Sequence, residues 1–396
     1  MNPLLIIGAG LAGWTTAREF RKLDSTTPVL MVTADSGDFY AKPSLSNAFA
    51  QGKLPPQLVS TPAAKMADTL NVTLMPHTQV NAIDATGKTI ATSAGVLGWR
   101  QLVLATGAQP IRVPVAGDAA QQVVSVNSLE DFAVFHSLLQ TAAGKGAGSQ
   151  RHVLIMGAGL IGCEFANDLA RAGYRVSVVD PGPRTLAALL PEAASAELQQ
   201  ALEALGVRFY FGTTVAAVNA AQPPATRGLE ALLASGERIA VDCVLSAVGL
   251  RPDTALAQVA GLKVDRGIVV NHLLEASAKG VYALGDCAQY ASAASALSAH
   301  GSVLPYVMPI MTAARALAST LTGTPAEVAF PLMPVAVKTP ALPLVVATPR
   351  AGAAGQWARA EAGLWHWLDE AGQQRGFVLS GAQTAQRTQQ ARKVVW

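Results

Sequence analysis

Two glycine-rich segments have the spacing that lets a chain bind a pyrophosphate. Gly8-Ala9-Gly10-Leu11-Ala12-Gly13 follows the apolar run 4–7, and Gly157-Ala158-Gly159-Leu160-Ile161-Gly162 follows the apolar run 153–156. In such a segment the first glycine permits a tight turn, the second admits the phosphates to the backbone, and the third allows close helix–strand packing. The N-terminus of the following helix attracts the phosphate charge. Two copies, each at a predicted strand-to-helix junction, predict that the protein holds two dinucleotides.

The predicted elements around the two segments repeat in the same order. The first segment is followed by a helix through Phe20, a strand at 29–32 and a later strand that ends in the sequence 106–110, Thr-Gly-Ala-Gln-Pro. The second is followed by a helix to about Ala172, a strand at 175–180 and a strand that ends in 249–252, Gly-Leu-Arg-Pro. Both units thus begin with a glycine-rich segment and end with a strand closed by Gly and Pro. This repetition predicts two doubly wound β-α-β units, each a parallel sheet flanked by helices.

The fold class expected from this order is α/β: two doubly wound, Rossmann-like dinucleotide-binding domains with a small C-terminal α+β domain. A glycine-rich stretch at 142–150 precedes the second unit, and a short strand ends in Gly285-Asp286. From Phe330 the composition changes to repeated Pro and Val, which predicts a separate domain with strands and a terminal helix. We expect the first domain to comprise 1–115 with 253–325, the second 116–252, and the C-terminal domain 326–396.

The composition favours a soluble enzyme in the cytoplasm. The 396 residues carry a formal charge of only +3, without a basic block, which argues against nucleic-acid binding. Three cysteines without C-x-x-C spacing argue against a disulfide framework or a zinc site, so no metal is expected and a reducing compartment is favoured. The first apolar run lacks a basic leader, so we expect no signal peptide. The uncharged stretch 288–314 contains two prolines, a histidine and several serines, too polar for a membrane span.

Taken in order, the motifs resemble those of the two-dinucleotide flavoprotein reductases. The resemblance covers at least residues 4–325: fingerprint, Ala-Thr-Gly, a second fingerprint followed by a glutamate, Gly-x-x-Pro and Gly-Asp. It implies FAD on the first fingerprint and NADH on the second, with Asp286 bonded to the ribityl or phosphate end of FAD. Beyond the fingerprint glycines, the implied contacts with the cofactors come from Val80, Thr106, Gly107, Gly249 and Val307.

The adenosine ribose of FAD is usually bound by an acid at the end of the second strand. In this chain that position is expected at Ala34, which has no carboxylate. Two alternatives remain open: Asp35 substitutes for the acid, or Thr33 and Ala34 contact the ribose through the backbone.

The segment 40–46, Tyr-Ala-Lys-Pro-Ser-Leu-Ser, distinguishes the branch of this class. Disulfide reductases carry a cysteine pair there, whereas this chain has no cysteine before Cys163, so electrons must leave the flavin directly. The segment resembles rubredoxin and flavorubredoxin reductases, and 306–309 and 334–340 resemble rubredoxin reductases more closely. The resemblance implies hydride transfer from NADH to FAD and single-electron transfer to rubredoxin, a small acidic iron protein. A monomer is compatible with the sequence, which does not determine the oligomeric state.

Two other functions remain open, and the first would share almost every motif. One is a reductase of flavorubredoxin, or of a ferredoxin in an oxygenase system. The other is a flavin-based NADH sensor. The stretch 291–302, rich in Ser and Ala, resembles an insertion without an assigned role. We expect all three cysteines to be small core residues: Cys163, Cys243 and Cys287.

Four charged residues are expected to act at the cofactors. By resemblance, Lys42 and Glu164 meet near the reactive edge of the flavin, and Lys338 reaches the ring system from the C-terminal domain. Asp180 ends the second strand of the second unit and is expected to bind both ribose hydroxyls of NADH and repel the 2′-phosphate of NADPH. Arg184 is the nearest cation beyond it and is expected to lie past the ribose.

Overall fold

The computed structural model describes residues 2–141, 150–221, 228–291, 301–350 and 352–395. Its first sheet has five parallel strands, and short apolar runs form them because both faces of the sheet are covered. Every residue of the strand Leu4–Ile7 is buried. The strand order across this sheet is Val281–Ala283, Gln101–Leu104, Leu4–Ile7, Val29–Val32 and Val72–Met75.

The second sheet repeats this arrangement. Its central strand, His152–Met156, is fully buried and pairs in parallel with neighbours on both sides. The order is Arg208–Phe211, Arg175–Asp180, His152–Met156, Cys243–Ser246 and Val123–Val124. The α/β class with two doubly wound units is therefore confirmed.

Each unit carries a three-stranded antiparallel sheet, inserted along the chain after Val72–Met75 in the first unit and after Arg208–Phe211 in the second. These are Val80–Asp84, Thr89–Thr92 and Gly95–Gly98 in the first unit, and Val215–Ala220, Leu229–Leu233 and Arg238–Val241 in the second. A two-stranded parallel sheet, Ile268–Val269 with Ala288–Gln289, follows.

Two chain segments connect the units and pair with each other. Ala108–Pro110 follows the Ala-Thr-Gly motif, and Leu250–Pro252 follows Gly249. They form an antiparallel ribbon, with Gln109 opposite Arg251. The two strand ends that looked alike in sequence thus lie side by side.

The C-terminal residues form an antiparallel sheet with a short helix, as predicted. The sheet order is Val335–Val337, Leu344–Ala347, Gln374–Ser380, Leu364–Leu368 and Gln356–Glu361. The buried aromatic residues Trp365 and Phe377 belong to this sheet. Within the described residues, the α-helices are Leu11–Leu23, Ala63–Thr69, Leu129–Thr141, Leu160–Arg171, Glu192–Glu203, Ala255–Val259, Val307–Leu321 and Arg387–Lys393.

The helices that begin at the two fingerprints pack closely on their sheets. Trp14, fully buried on Leu11–Leu23, donates from Nε1 to the carbonyl of Gly37 at 2.8 Å. The same helix packs against Val307–Leu321, where Thr15 approaches the Met311 sulfur. Within the described residues, no helix is long and apolar enough to span a bilayer. Residues 142–149 and 292–300, the bulk of the glycine-rich stretch and of the insertion, lie outside the described part.

Candidate cofactor site

The three glycines of the first fingerprint have different surroundings. Gly8 has φ +102°, and a Cβ there would lie 2.3 Å from the carbonyl oxygen of Ala105. A Cβ on Gly13 would lie 1.9 Å from the carbonyl oxygen of Gly8. Gly10 has no atom within 4 Å of the corresponding position. Packing of the protein therefore requires the first and third glycines, and the second borders open space.

The second fingerprint shows the same pattern. A Cβ on Gly157 would lie 2.7 Å from the oxygen of Ala247, and one on Gly162 would lie 1.9 Å from the oxygen of Gly157. Gly159 again has nothing within 4 Å. The open space lies at the N-terminus of a helix in both units, where a pyrophosphate is favoured. The two loops fit the phosphates of FAD and of NADH.

The residues expected around FAD lie at the carboxyl edge of the first sheet, where doubly wound folds bind ligands. Thr106 follows the strand Gln101–Leu104 and donates from its hydroxyl to the carbonyl of Asp253 at 2.8 Å. Gly107, at φ +75°, accepts from the N–H of Asp253 at 2.9 Å. Val307 begins the helix that packs on the fingerprint helix and is 41% exposed.

Asp286 lies in a turn that packs on the same fingerprint helix. A Cβ on the preceding Gly285 would come within 2.9 Å of the Ala12 methyl, so the turn needs a glycine there. The N–H of Gly285 donates to the Tyr290 hydroxyl at 2.8 Å. Burial raises the pKa of the Asp286 carboxyl, and the charge of Lys42 opposes that shift. The turn therefore holds Asp286 beside the first fingerprint helix.

The position expected for the ribose-binding acid was wrong by one residue. Gly8 donates its N–H to Val32, and Gly157 donates its N–H to Val179, both at 2.8 Å. This register makes Thr33, not Ala34, the counterpart of Asp180. Strand pairing sets this position and a count along the chain does not, since Thr33 lies 20 residues after Gly13 whereas Asp180 lies 18 residues after Gly162.

The Thr33 side chain is hydrogen-bonded to the carboxylate of Asp35, the acid that the sequence offered as an alternative. Its hydroxyl donates to Asp35 Oδ1 at 2.6 Å, and the N–H of Gly37 donates to the same oxygen at 3.0 Å. Ala34 is exposed. The N–H of Thr78 donates to the Thr33 carbonyl at 2.8 Å, and Val80 begins a strand two residues later, so that segment borders the same edge.

Asp180 ends the second strand of the second unit, as expected. Its two carboxylate oxygens accept from the N–H groups of Ala158 and Gly182, both at 2.6 Å. Each oxygen retains a lone pair for a further donor. Arg184 donates from Nη2 to the carbonyls of Ala187 and Leu190, both at 3.3 Å. The nearby cation is thus bound to a loop beyond the acid.

Lys42 lies at the start of a 3₁₀-helix, Lys42–Asn47. Its side chain reaches solvent, but the protein packed around its ammonium lowers its pKa, while Asp286 and Asp35 oppose this shift. The ammonium donates to Oδ1 of Asn127 at 3.3 Å. The expected pairing of Lys42 with Glu164 is not formed in this structure.

Glu164 instead binds two other segments. Oε2 accepts from the Ser46 hydroxyl at 2.6 Å, and Oε1 accepts from the backbone N–H of Lys338 at 2.9 Å. Glu164 is only 9% exposed, and burial raises its pKa against the effect of these two donors and of the Lys338 charge. The ammonium of Lys338 itself donates to the carbonyl of Pro43 at 3.2 Å.

Two polar neighbours of Glu164 on the same helix were not among the site residues predicted from the sequence. Asp168 accepts from the N–H groups of Phe49 and Ala50, both at 2.9 Å, and Asn167 accepts from the N–H of Ala341 at 3.0 Å. Both are 1% exposed. Positions i, i+3 and i+4 share one helix face. Three polar residues at this spacing, on a helix expected to be buried, were the available signal.

The three thiols are free and buried. Burial raises the pKa of Cys163 and of Cys243 to about 12, and it also raises the pKa of Cys287. Cys163 donates to the carbonyl of Ala158, and Cys287 donates to the carbonyls of Leu104 and Leu284. The chain holds them as protonated core residues, as the sequence predicted.

Two phosphate-binding loops on two doubly wound sheets define a dinucleotide-dependent oxidoreductase. The family model described as pyridine nucleotide-disulphide oxidoreductase matches residues 2–313, and the chain belongs to that family. Membership implies FAD and NADH as the two dinucleotides, in agreement with the two loops. A second model, described as a rubredoxin binding C-terminal domain, matches residues 327–394.

Curated relatives include reductases with two different names. A rubredoxin-NAD(+) reductase of Alcanivorax borkumensis is 43% identical over 90% of this chain and 88% of its own length. A rubredoxin-NAD(+) reductase of Acinetobacter baylyi is 40% identical over 96% of this chain and 95% of its own length. A nitric oxide reductase FlRd-NAD(+) reductase of Aeromonas salmonicida is 40% identical over 85% and 81%. The resemblance to rubredoxin reductases is confirmed.

Solved structures show the same fold at lower identity. A putidaredoxin reductase, in a covalent complex with putidaredoxin, superposes with a TM-score of 0.85 at 23% identity, covering 99% of this chain and 93% of that one. A ferredoxin reductase of Rhodopseudomonas palustris superposes with a TM-score of 0.85 at 24% identity, covering 100% and 96%.

Proposed function

We propose that this chain takes hydride from NADH onto FAD and passes electrons singly to rubredoxin in the cytoplasm. The observation that carries the proposal is the match of residues 327–394 to a rubredoxin binding domain, in a chain with two dinucleotide loops. Three free, buried thiols are consistent with a reducing compartment.

The domain boundaries belong to the same proposal. Residues 1–115 with 253–325 would bind FAD, 116–252 would bind NADH, and 326–396 would dock the acceptor. The sheets support this division: the edge strand Val281–Ala283 returns to the first sheet after the whole second unit, and Val123–Val124 belongs to the second.

The residues that would hold FAD line one edge of the first sheet. The open space at Gly10 would take the pyrophosphate, and the Thr33 hydroxyl, oriented by Asp35, would face the adenosine ribose in place of an acid. Asp286 and the start of the helix at Val307 would face the rest of the cofactor. Bound FAD supplies the chemistry that joins a two-electron donor to a one-electron acceptor.

The second unit would orient NADH. Gly159 leaves room for its pyrophosphate, and Asp180 presents carboxylate oxygens to the ribose. Gly249, at φ +121°, lies at the carboxyl edge of the same sheet. Glu164 would accept from the nicotinamide amide, since the Ser46 hydroxyl and the Lys338 N–H fix its carboxylate.

The charge of Lys42 would favour a negatively charged, reduced cofactor. Its ammonium rests on a neutral amide rather than a carboxylate, so its charge remains available. Lys338 would approach the ring system from the C-terminal domain, next to Pro43. The protonated thiols offer no relay, which leaves direct transfer from the cofactor to the acceptor.

A second acceptor class is favoured by one specific observation. A relative with 40% identity is named as a reductase of FlRd in a nitric oxide reductase system. Flavorubredoxin would thus be the alternative partner. The NADH-sensor alternative would differ by slow turnover with every acceptor.

The test supplies NADH, the FAD-loaded protein and purified rubredoxin, and follows the loss of the oxidised iron absorbance. We expect rapid reduction that slows as added salt brings the Debye length to about 10 Å, since an acidic partner would dock by charge. Flavorubredoxin and ferredoxin serve as parallel acceptors. Fast reduction of the flavin without electron transfer to rubredoxin, at low and high salt, would contradict the proposal.

A further inference from the structure

The ammonium of Lys42 has a specific acceptor outside the expected site residues. Nζ donates to Oδ1 of Asn127 at 3.3 Å, and Nδ2 of Asn127 donates to the carbonyl of Ala108 at 2.7 Å. Both ends of the amide are therefore engaged. Reversing the amide would set its NH₂ group against the ammonium and its oxygen against a carbonyl, so one orientation is strongly favoured.

The backbone around Asn127 is held by the start of the next helix. The N–H groups of Asn127 and Ser128 both donate to Oδ2 of Asp131 at 3.0 Å, and the Ser128 hydroxyl accepts from the N–H of Asp131 at 3.0 Å. The N–H of Leu129 donates to the hydroxyl of Tyr40 at 3.0 Å. These contacts tie the acceptor to the segment that carries Lys42.

The ammonium of Lys42 is bound by the neutral amide of Asn127 although several carboxylates lie around it. Burial lowers the pKa of Lys42, and the charges of four acids oppose that shift: Asp286, Asp35, Asp131 and Glu130. Among the described residues, none of them forms an ion pair with Lys42. A carboxylate at position 127 would hold the ammonium and cancel its charge, whereas the amide holds it without doing so.

We propose that Asn127 is the positioning residue for Lys42, an uncharged acceptor that would fix the ammonium beside the cofactor without pairing it with a carboxylate. This inference rests on the proposed function. Asn127 also bonds to Ala108, the first residue of the ribbon that joins the two units, so it ties the placement of the ammonium to that connection.

The contact itself is tested in the protein without FAD. The lysines are labelled by reductive ¹³C-methylation, and Lys42 is assigned by its loss in Lys42→Met and titrated by NMR. Asn127→Asp is expected to raise the pKa of Lys42, because a carboxylate replaces the amide oxygen. Gln122→Glu adds the same charge on an exposed side chain five positions earlier and is expected to leave that pKa unchanged. Equal effects of the two variants would overturn the contact.

The positioning role is tested by the midpoint potential of bound FAD in a double-mutant cycle. Asn127→Ala is expected to lower the potential and to slow reduction by NADH roughly 10-fold. In the Lys42→Met background the same change should have no further effect on the potential. Full additivity would overturn the positioning role alone. A Lys42→Met protein with the potential of the parent would overturn the role of Lys42 in the proposed function, and the role of Asn127 with it.

Discussion

The hydroxyl of Ser46 donates a 2.6 Å hydrogen bond to Oε2 of Glu164, which joins two segments 118 positions apart. The other carboxylate oxygen accepts from the N–H of Lys338, so one buried side chain joins three segments: the Ser46 segment, its own helix and the Lys338 segment. Asp168 and Asn167, on the same helix, accept further backbone N–H groups from the first and third of these segments. This helix face holds the edge of the proposed flavin site together.

The raised pKa of Glu164 predicts a pH-dependent stability. The folded protein binds this proton more tightly than the unfolded chain, so the contribution is fully present below the ordinary glutamate pKa and is lost as pH rises through the folded value. Glu164→Gln should therefore gain stability relative to the parent as pH rises through that interval. Urea unfolding at a series of pH values measures the difference. Glu237→Gln, at an exposed position, should show no such trend; the same trend in both would contradict the assignment.

Lys42→Met is predicted to retain FAD but to lower its midpoint potential, since a positive charge near the reduced cofactor is removed. Stopped-flow reduction by NADH should slow by about 10-fold, the scale of a single electrostatic contact of about 1.4 kcal/mol. Lys53→Met, an exposed lysine nearby in the sequence, is the control. Unchanged potential and reduction rate in the Lys42 variant would rule out the proposed role.

The fingerprint glycines predict two opposite phenotypes. Gly13→Ala places a methyl 1.9 Å from a carbonyl oxygen and should destabilise the fold by roughly 1–3 kcal/mol or more. Gly10→Ala meets no protein atom, and its φ of −76° suits alanine, so it should fold normally and bind FAD more weakly. Thermal unfolding of the apoproteins and FAD titration separate the two. A Gly10→Ala protein with the parent's FAD affinity would show that the open space is not the pyrophosphate site.

Asp180→Ala is predicted to lower kcat/KM for NADH by about 10- to 100-fold, because hydrogen bonds to a charged acceptor are lost. NADPH should not become the better substrate, since Arg184 is bound to the carbonyls of Ala187 and Leu190. Steady-state kinetics with both coenzymes measures this, with melting temperature as a check on the loop that Asp180 also supports. In the parent protein, a kcat/KM for NADPH equal to that for NADH would refute the coenzyme assignment.

The sequence by itself determined the two dinucleotide loops, the repeated sheets and the class of C-terminal domain. These features are local: glycine spacing, strand periodicity and turn residues act over a few positions and can be read without knowing which distant segments meet. Asp180 at its strand end and the buried, inert thiols follow from the same local rules.

Only the tertiary structure decided which side chains meet. Thr33 rather than Ala34 matches Asp180 because strand register, not residue count, sets the position. Glu164 binds Ser46 and Lys338, while Lys42 turns to Asn127, because segments 85 to 174 positions apart come together at one edge. Such contacts depend on how the three units pack against one another. The spacing of residues along the chain does not predict which distant segments lie close together in space.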